Sequence, residues 1–156
     1  MELNDVMRTT FSARDYTGDD LPDQVLYDIL DIARFAPSGG NRQGNRVVVV
    51  RDAETRGQIS KIAEPIAKIY AAQRDAGESP WNSVTPSKVT PQQVEDTLPL
   101  DILVEPYRNA SVVLVFAVDL TVVASMDKEL DRVGVISGAS IYPFVWNVLL
   151  AARQAG

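Results

Sequence analysis

The chain has 156 residues, of which 46% are hydrophobic and 23% charged, a size and balance that suit one globular domain with a real core. Its 15 Lys and Arg against 21 Asp and Glu leave a net charge of -6, which argues against nucleic acid or an anionic membrane surface as the main partner. Neither Cys nor His occurs, so a disulfide, a cysteine nucleophile, a Ser-His-Asp relay and an ordinary zinc site are all excluded. Chemistry is left to carboxylates, Lys, Tyr, backbone dipoles or a bound cofactor.

The first residues, Met1 to Asp5, have neither a basic start nor an apolar run, and no stretch reaches membrane-spanning length. The expected location is cytoplasmic. Leu3, Val6 and Met7 stand at helical spacing in a short segment that runs to Phe11. Between Arg8 and Tyr16 come two arginines and four hydroxyl-bearing residues. A solvated turn with capping hydroxyls accounts for this stretch. A phosphate seat also accounts for it, with Arg14 giving a bidentate fork and Ser12 a donor.

A turn at Gly18 leads to a helix expected from Leu21 or Pro22, with Val25, Ile29, Ile32, Ala33 and Ala36 on one face. Pro37 ends it. The stretch Ala36-Pro37-Ser38-Gly39-Gly40-Asn41-Arg42-Gln43 then pairs conformationally free glycines with amide and hydroxyl groups of both polarities. It reads either as a helix stop and turn or as a cradle for a flat, heteroatom-rich ligand. Arg46 to Arg51 follows as a β-branched strand, apolar on both faces, so that both sides of its sheet should be covered.

Asp52 is placed to cap the next helix, which carries a stripe from Ile59 to Tyr70 and which Pro65 should kink. From Gly77 to Pro91 comes a polar stretch holding Trp81, which either pins the loop to the core or covers a substrate. A short helix over Gln92 to Thr97 should precede an extended segment from Leu98 to Pro106. Ser111 to Val118 is a second apolar strand, expected beside the first. A modest helix is expected over Met126 to Val133. Ile141 to Ala152 is apolar nearly all round and should be buried on all sides, partly in an oligomer interface. Asn147 inside it should find a hydrogen-bond partner. With no repeat or linker, residues 1–156 read as a single domain.

With these segments in place the chain resembles the FMN-dependent nitroreductase family. Arg8 to Tyr16 is similar to the family's N-terminal phosphate-binding motif, with Ser12 and Arg14 in matching positions. Ala36 to Gln43 is the most specific match, and Ser140 to Arg153 resembles the family's long central helix. The resemblance implies an α+β fold with a mixed central sheet flanked by helices, in an intertwined homodimer with flavin sites at the subunit interface. It also implies that Ser12 and Arg14 hold the FMN phosphate and ribityl end, with Arg8 as compensation for Thr10 and Phe11, while Pro37, Ser38, Gly39 and Asn41, in the loop that ends at Gln43, approach the flavin ring, commonly that of the partner subunit's site. The implied reaction is ping-pong. NAD(P)H reduces FMN, which then reduces a nitroaromatic, a quinone or a similar small aromatic acceptor.

Thr10 and Phe11 stand where the family usually has arginine at one or both positions, Gly44 and Asn45 replace its usual Pro/Gly and Trp, and Trp146 occupies a position often held by glutamine. The family also continues past the helix that ends at Ala155-Gly156. These departures imply an alternative, a non-catalytic dimeric scaffold or small-molecule binding module that is a fragment or a shortened relative with weak or no flavin binding.

Overall fold

The apolar spacings at the start of the chain produce two helices, α1 (Leu3–Thr9) and α2 (Asp23–Ala33). Pro22 stands at the N-cap of α2 and Asp23 lies in its first turn, where a carboxylate suits the positive end of the helix dipole. The computed structural model describes residues 1–156. It comprises two compact units. The first holds Met1–Ser12, Asp20–Val49 and Leu114–Gly156, and the second Ala13–Asp19 and Val50–Val113.

In the first unit the core forms where α2 packs on the C-terminal helix α6 (Tyr142–Ala155). Ile29, Ala33 and Ala36 meet Phe144 and Val148, with Val47, Leu114 and Phe116 packed around them. Ala33 is fully buried, and its small side chain lets the two helices approach closely. Phe116 meets Phe144 edge-on with ring centroids 5.9 Å apart, the arrangement that ring quadrupoles favour. Each large apolar side chain buried here contributes about 1.5–3 kcal/mol. On the other flank α1 packs on α6 through buried Val6.

The strands β1 (Asn45–Val50) and β2 (Val113–Val118) lie side by side, as the sequence implies, in a two-stranded sheet. The Asp119 N–H donates to the Gly44 carbonyl at 2.9 Å, so the end of β2 meets the start of β1 and the pair is antiparallel. With helices and this sheet the fold is α+β. The expected cover on both faces is only partly met within the chain, because Val48, Val49 and Val115 are exposed.

No helix forms over residues 126–133, which fold as turns. The cause is the buried Asp127 carboxylate, which accepts from the N–H groups of Val135 (2.7 Å) and Ile136 (3.2 Å) and from Arg132 (3.0 Å). A side chain that satisfies backbone donors eight and nine residues on competes with helix formation. Nor is α6 buried on all sides, since only Phe144 and Val148 are, while Tyr142, Trp146 and Leu149 are exposed.

The second unit is built on α3 (Ala53–Asp75), capped as expected by Asp52, whose carboxylate accepts from the Thr55 N–H at 2.7 Å. The helix runs through Pro65 without interruption. After the short α4 (Pro91–Asp96), residues 101–109 form α5 (Asp101–Asn109) where an extended segment was expected. Leu100, Leu103, Val104 and Tyr107 recur at helical spacing, and packing on α3 outweighs the hydrogen bond that Pro106 removes. Ser60, fully buried on α3, donates to the Val104 carbonyl at 2.9 Å. The Arg56 guanidinium donates to the carbonyls of Arg108 and Ala110 at the C-terminal end of α5, where a cation suits the dipole.

The Val135 N–H, then that of Ile136 and the Arg132 guanidinium, hold the Asp127 carboxyl below its ordinary value of 3.8. A depressed folded-state value stabilises the fold above the unfolded-state value, and that stabilisation is lost as pH falls through the folded one. Urea unfolding across a pH series should therefore show an acid-side loss of stability that is smaller in Asp127→Asn. Parallel curves for the two proteins would remove this role.

Candidate functional site

The segment that follows α2 is fixed from both ends. The helix ends at Ala33, earlier than the apolar face through Ala36 implied, and a turn over residues 34–36 leads to Pro37; the Ser38 hydroxyl accepts from the Gln43 N–H at 3.0 Å while the Ser38 carbonyl accepts from the Asn41 N–H at 2.8 Å. This closes residues 38–43 into a tight loop around a single 3₁₀ turn over Gly39–Asn41. The Gly39 N–H donates to the Ser140 hydroxyl at 3.1 Å, which ties the loop to the residues leading into α6. Beyond it the Gly44 carbonyl joins Asp119, and Arg42 reaches the Val122 carbonyl at 3.5 Å.

Backbone angles show how tightly the loop is set. Gly40 has φ 61°, and the non-glycine residues Asn41 and Gln43 have φ 53° and 48°. Asn tolerates this left-handed region better than most residues and Gln less well, so surrounding contacts must hold it there. The geometry leaves the two side chains facing each other, with the Gln43 amide donating to Asn41 Oδ1 at 3.0 Å. The Asn41 NH2 and the Gln43 oxygen remain on the exposed edge of the loop, a donor beside an acceptor. Nearby Asn45 Oδ1 is buried without a donor.

Ser38, Gly39, Asn41 and Gln43 are thus brought together, with Pro37 at their head. Arg8 lies exposed in the last turn of α1 in the same unit. Ser12 is exposed at that unit's boundary, and exposed Arg14 belongs to the second unit. Neither Thr10 nor Phe11 is set up as a phosphate ligand. The Thr10 hydroxyl donates to the Val6 carbonyl at 2.7 Å, and the Phe11 ring lies 6.0 Å from the Arg153 guanidinium carbon. Arg153 also donates to the Thr9 hydroxyl at 3.1 Å.

Sequence reasoning gave no role to Ser140, Asp119, Val122 or Arg153. Ser140 had a usable signal, a hydroxyl at the head of an apolar helix beside small residues. The other three had none, since two act through backbone groups. Asp119 accepts from the Thr121 hydroxyl at 2.6 Å and from its N–H at 3.0 Å, which lowers its pKa and fixes the turn that meets Gly44. In the second unit the half-exposed Trp81 ring lies tilted against Tyr70 with centroids 5.3 Å apart, and the Trp81 backbone N–H donates to Gln73 Oε1 at 3.0 Å. It fastens its loop to α3. No three acidic side chains gather in a way that could hold a metal ion, and no helix is long and apolar enough to cross a membrane.

The class of protein is set by this α+β framework with its Pro-Ser-Gly-Gly-Asn loop between α2 and β1. The Nitroreductase family model matches residues 7–156, and the chain belongs to that family. Among solved structures it is similar to an oxidized iodotyrosine deiodinase bound to FMN and 3-iodo-L-tyrosine, with TM-score 0.66 and 19% identity, over 99% of this chain and 71% of that one. It is similar to a BluB-like flavoprotein from Clostridium difficile with TM-score 0.66 and 18% identity, over 100% of this chain and 71% of that one. A nitroreductase with bound FMN from Bacteroides fragilis gives TM-score 0.57 and 17% identity, over 100% of this chain and 66% of that one. At these identities the likeness is one of fold, and the chain spans about two thirds of the length of those structures. No curated protein matches it by sequence.

Gly44 gives a direct test of the loop. A Cβ added there would meet Val122 Cγ2 at 2.6 Å and the Asp119 carbonyl at 3.3 Å. Because Val is stiff at χ1, Gly44→Ala should destabilise the protein by about 1–3 kcal/mol, read as a lower urea midpoint. Unchanged stability would show that the loop is not pinned at this point.

Proposed function

We propose that the chain is a flavin-dependent oxidoreductase that binds FMN on the loop from Pro37 to Gln43. The observation that carries this reading is the Asn41–Gln43 pair. Its free donor and free acceptor lie side by side at the rim of a loop held rigidly by Ser38 and Ser140. A flavin ring edge offers acceptors and an N–H in alternation, so the donor set of this loop fits it. Family membership and the FMN named in two of the similar structures support the same reading.

When bound, FMN would supply the redox chemistry, taking a hydride from NAD(P)H and passing two electrons to a nitroaromatic or quinone-like acceptor in a second half-reaction. The protein's own task is positioning. Asn41 and Gln43 would fix the ring edge, Gly39 and Gly40 would let it approach the main chain, and Arg14, Ser12 and Arg8 would hold the phosphate and ribityl end by charge-assisted hydrogen bonds. A preset loop binds without first losing conformational entropy.

The site would be completed in a homodimer. The chain exposes 10894 Å², whereas a compact protein of 17.1 kDa exposes about 7,700 Å² and even two separate bodies of half that mass expose about 9,300 Å². Part of the excess comes from exposed apolar side chains in the first unit, Tyr142, Trp146 and Leu149 at helical spacing along α6 and Leu3 and Met7 at helical spacing on α1. Light scattering on the purified chain should give twice the monomer mass, and Leu149→Glu should shift it toward monomer. A wild-type monomer would refute the dimer.

The flavin assignment is read from visible absorption after adding excess FMN and removing what is unbound. Retention near one FMN per chain is expected, with NAD(P)H oxidation in the presence of a benzoquinone. Arg14→Ala should weaken affinity about 10- to 100-fold, and Asn41→Asp, which keeps the left-handed backbone but loses the donor, should also weaken it. A folded, colourless protein would instead favour a binding module without catalysis. Thr10 and Phe11 give that reading its one structural support, because both are engaged in internal contacts.

A further inference from the structure

The second unit contains a cavity of about 600 Å³ between the C-terminal turn of α3, the loop that follows and the start of α4. Three side-chain amides on its wall share one arrangement. Gln73 Oε1 accepts from the Trp81 N–H at 3.0 Å. Asn82 Oδ1 accepts from the N–H groups of Val84 and Thr85 at 2.8 and 2.7 Å. Gln93 Oε1 accepts from the N–H and hydroxyl of Thr90 at 2.8 and 3.0 Å. In each case the oxygen is engaged in holding the local fold, with both lone pairs used at Asn82 and Gln93 and one at Gln73, while the NH2 group keeps its two donors for a ligand. The case of Gln73 is the most telling. It is only 9% exposed, yet its NH2 has no partner in the chain and is not among the fully buried polar atoms left without one, so it opens onto the cavity it lines.

The charged groups divide in the same way. The Glu78 carboxylate is satisfied, accepting from the Ser87 hydroxyl at 2.5 Å and the Lys88 N–H at 2.7 Å. The Lys88 ammonium makes no hydrogen bond and no ion pair at contact distance, but its charge lies near enough to Glu78 to help lower that carboxyl's pKa. The wall therefore offers three amide donors and one cation whose field Glu78 shares, while Pro86 and Val89 add apolar surface. A dianion would face Glu78 with one cation to offset it, and the chain as a whole carries -6, so a single negative charge suits the site better.

We propose that this cavity binds a small polyhydroxylated molecule carrying one carboxylate, of about the size of a hexuronic acid. Its carboxylate pairs with Lys88, its ring oxygens and hydroxyls accept from Gln73, Asn82 and Gln93, and the carbon face of its ring rests on Pro86 and Val89. The volume lies within the range of small-molecule sites, roughly 300–1,000 Å³. The site lies wholly in the second unit and does not rest on the flavin reading.

The probes are D-glucuronate and its uncharged counterpart D-glucose, titrated by calorimetry into the full chain. Glucuronate should bind at one per chain and glucose about tenfold more weakly. Lys88→Met should reduce glucuronate affinity about tenfold and leave glucose unaffected. Gln93→Glu keeps the oxygen that caps α4, since Glu serves at this capping-box position as well as Gln. It should leave the melting temperature unchanged while weakening both probes. Absence of saturable glucuronate binding would overturn the proposal, as would binding that both variants leave unchanged. Equal affinity for the two sugars would overturn the carboxylate assignment.

Discussion

The packing of α2 on α6 is the contact on which the loop between α2 and β1 depends. Ala33 and Ala36 are small enough for the helices to approach closely, and Phe144 and Val148 fill the space beside them. That contact sets where α2 delivers the chain to Pro37, and it places Ser140 within hydrogen-bond reach of Gly39. A hydrogen bond between residues 101 positions apart is strong only if both ends are already fixed, because ordering either one would cost more than the bond contributes. The apolar core does the fixing. The polar loop then inherits its precision from side chains that never touch a ligand.

Two means of loop control recur in the chain. In the first unit carboxylates fold turns, with Asp119 holding Thr121 and Asp127 holding Val135 and Ile136. In the second unit Glu78, Asn82 and the Thr90–Gln93 capping box do the same for a long polar stretch. Ionised carboxylates accept only, so once their donors are engaged they offer little to a ligand. Amides keep a donor free after their oxygen is used. Glu78 and Gln93 therefore differ in what they offer after serving the same structural purpose.

Much of this was legible in the sequence where local chemistry decides the outcome. Asp52 capped its helix, the helix before it ended a turn short of Pro37, and Val47 and Leu114 lay on paired strands because β-branched runs have few other uses. Family likeness carried Ala36 to Gln43 and the last helix. Prediction failed where distant partners decide. Residues 101–109 became helical because α3 offered a surface for Leu103 and Val104, although Pro106 argued against it. Residues 126–133 missed being helical because Asp127 bonded to backbone eight residues away. The exposed faces of β1 and of α6 depend on what lies outside this chain's own core, which hydrophobic periodicity does not specify.

The strained backbone at Asn41 and Gln43 shows how stability and site geometry are divided. Two non-glycine residues in left-handed conformations each cost of order 1–3 kcal/mol relative to relaxed alternatives, and nothing in the core requires them. Glycine at either position would relieve that cost. It would also remove the amide pair, whose mutual hydrogen bond exists because both residues turn the same way. The side chains at these two positions therefore answer to the rim they form rather than to the fold beneath. Ser38 offsets part of the strain by accepting the Gln43 N–H and, through its carbonyl, the Asn41 N–H. One residue thus holds both strained neighbours, so loss of the Ser38 hydroxyl would loosen the loop at Gln43 first and disturb the exposed Asn41–Gln43 edge before it disturbed the core.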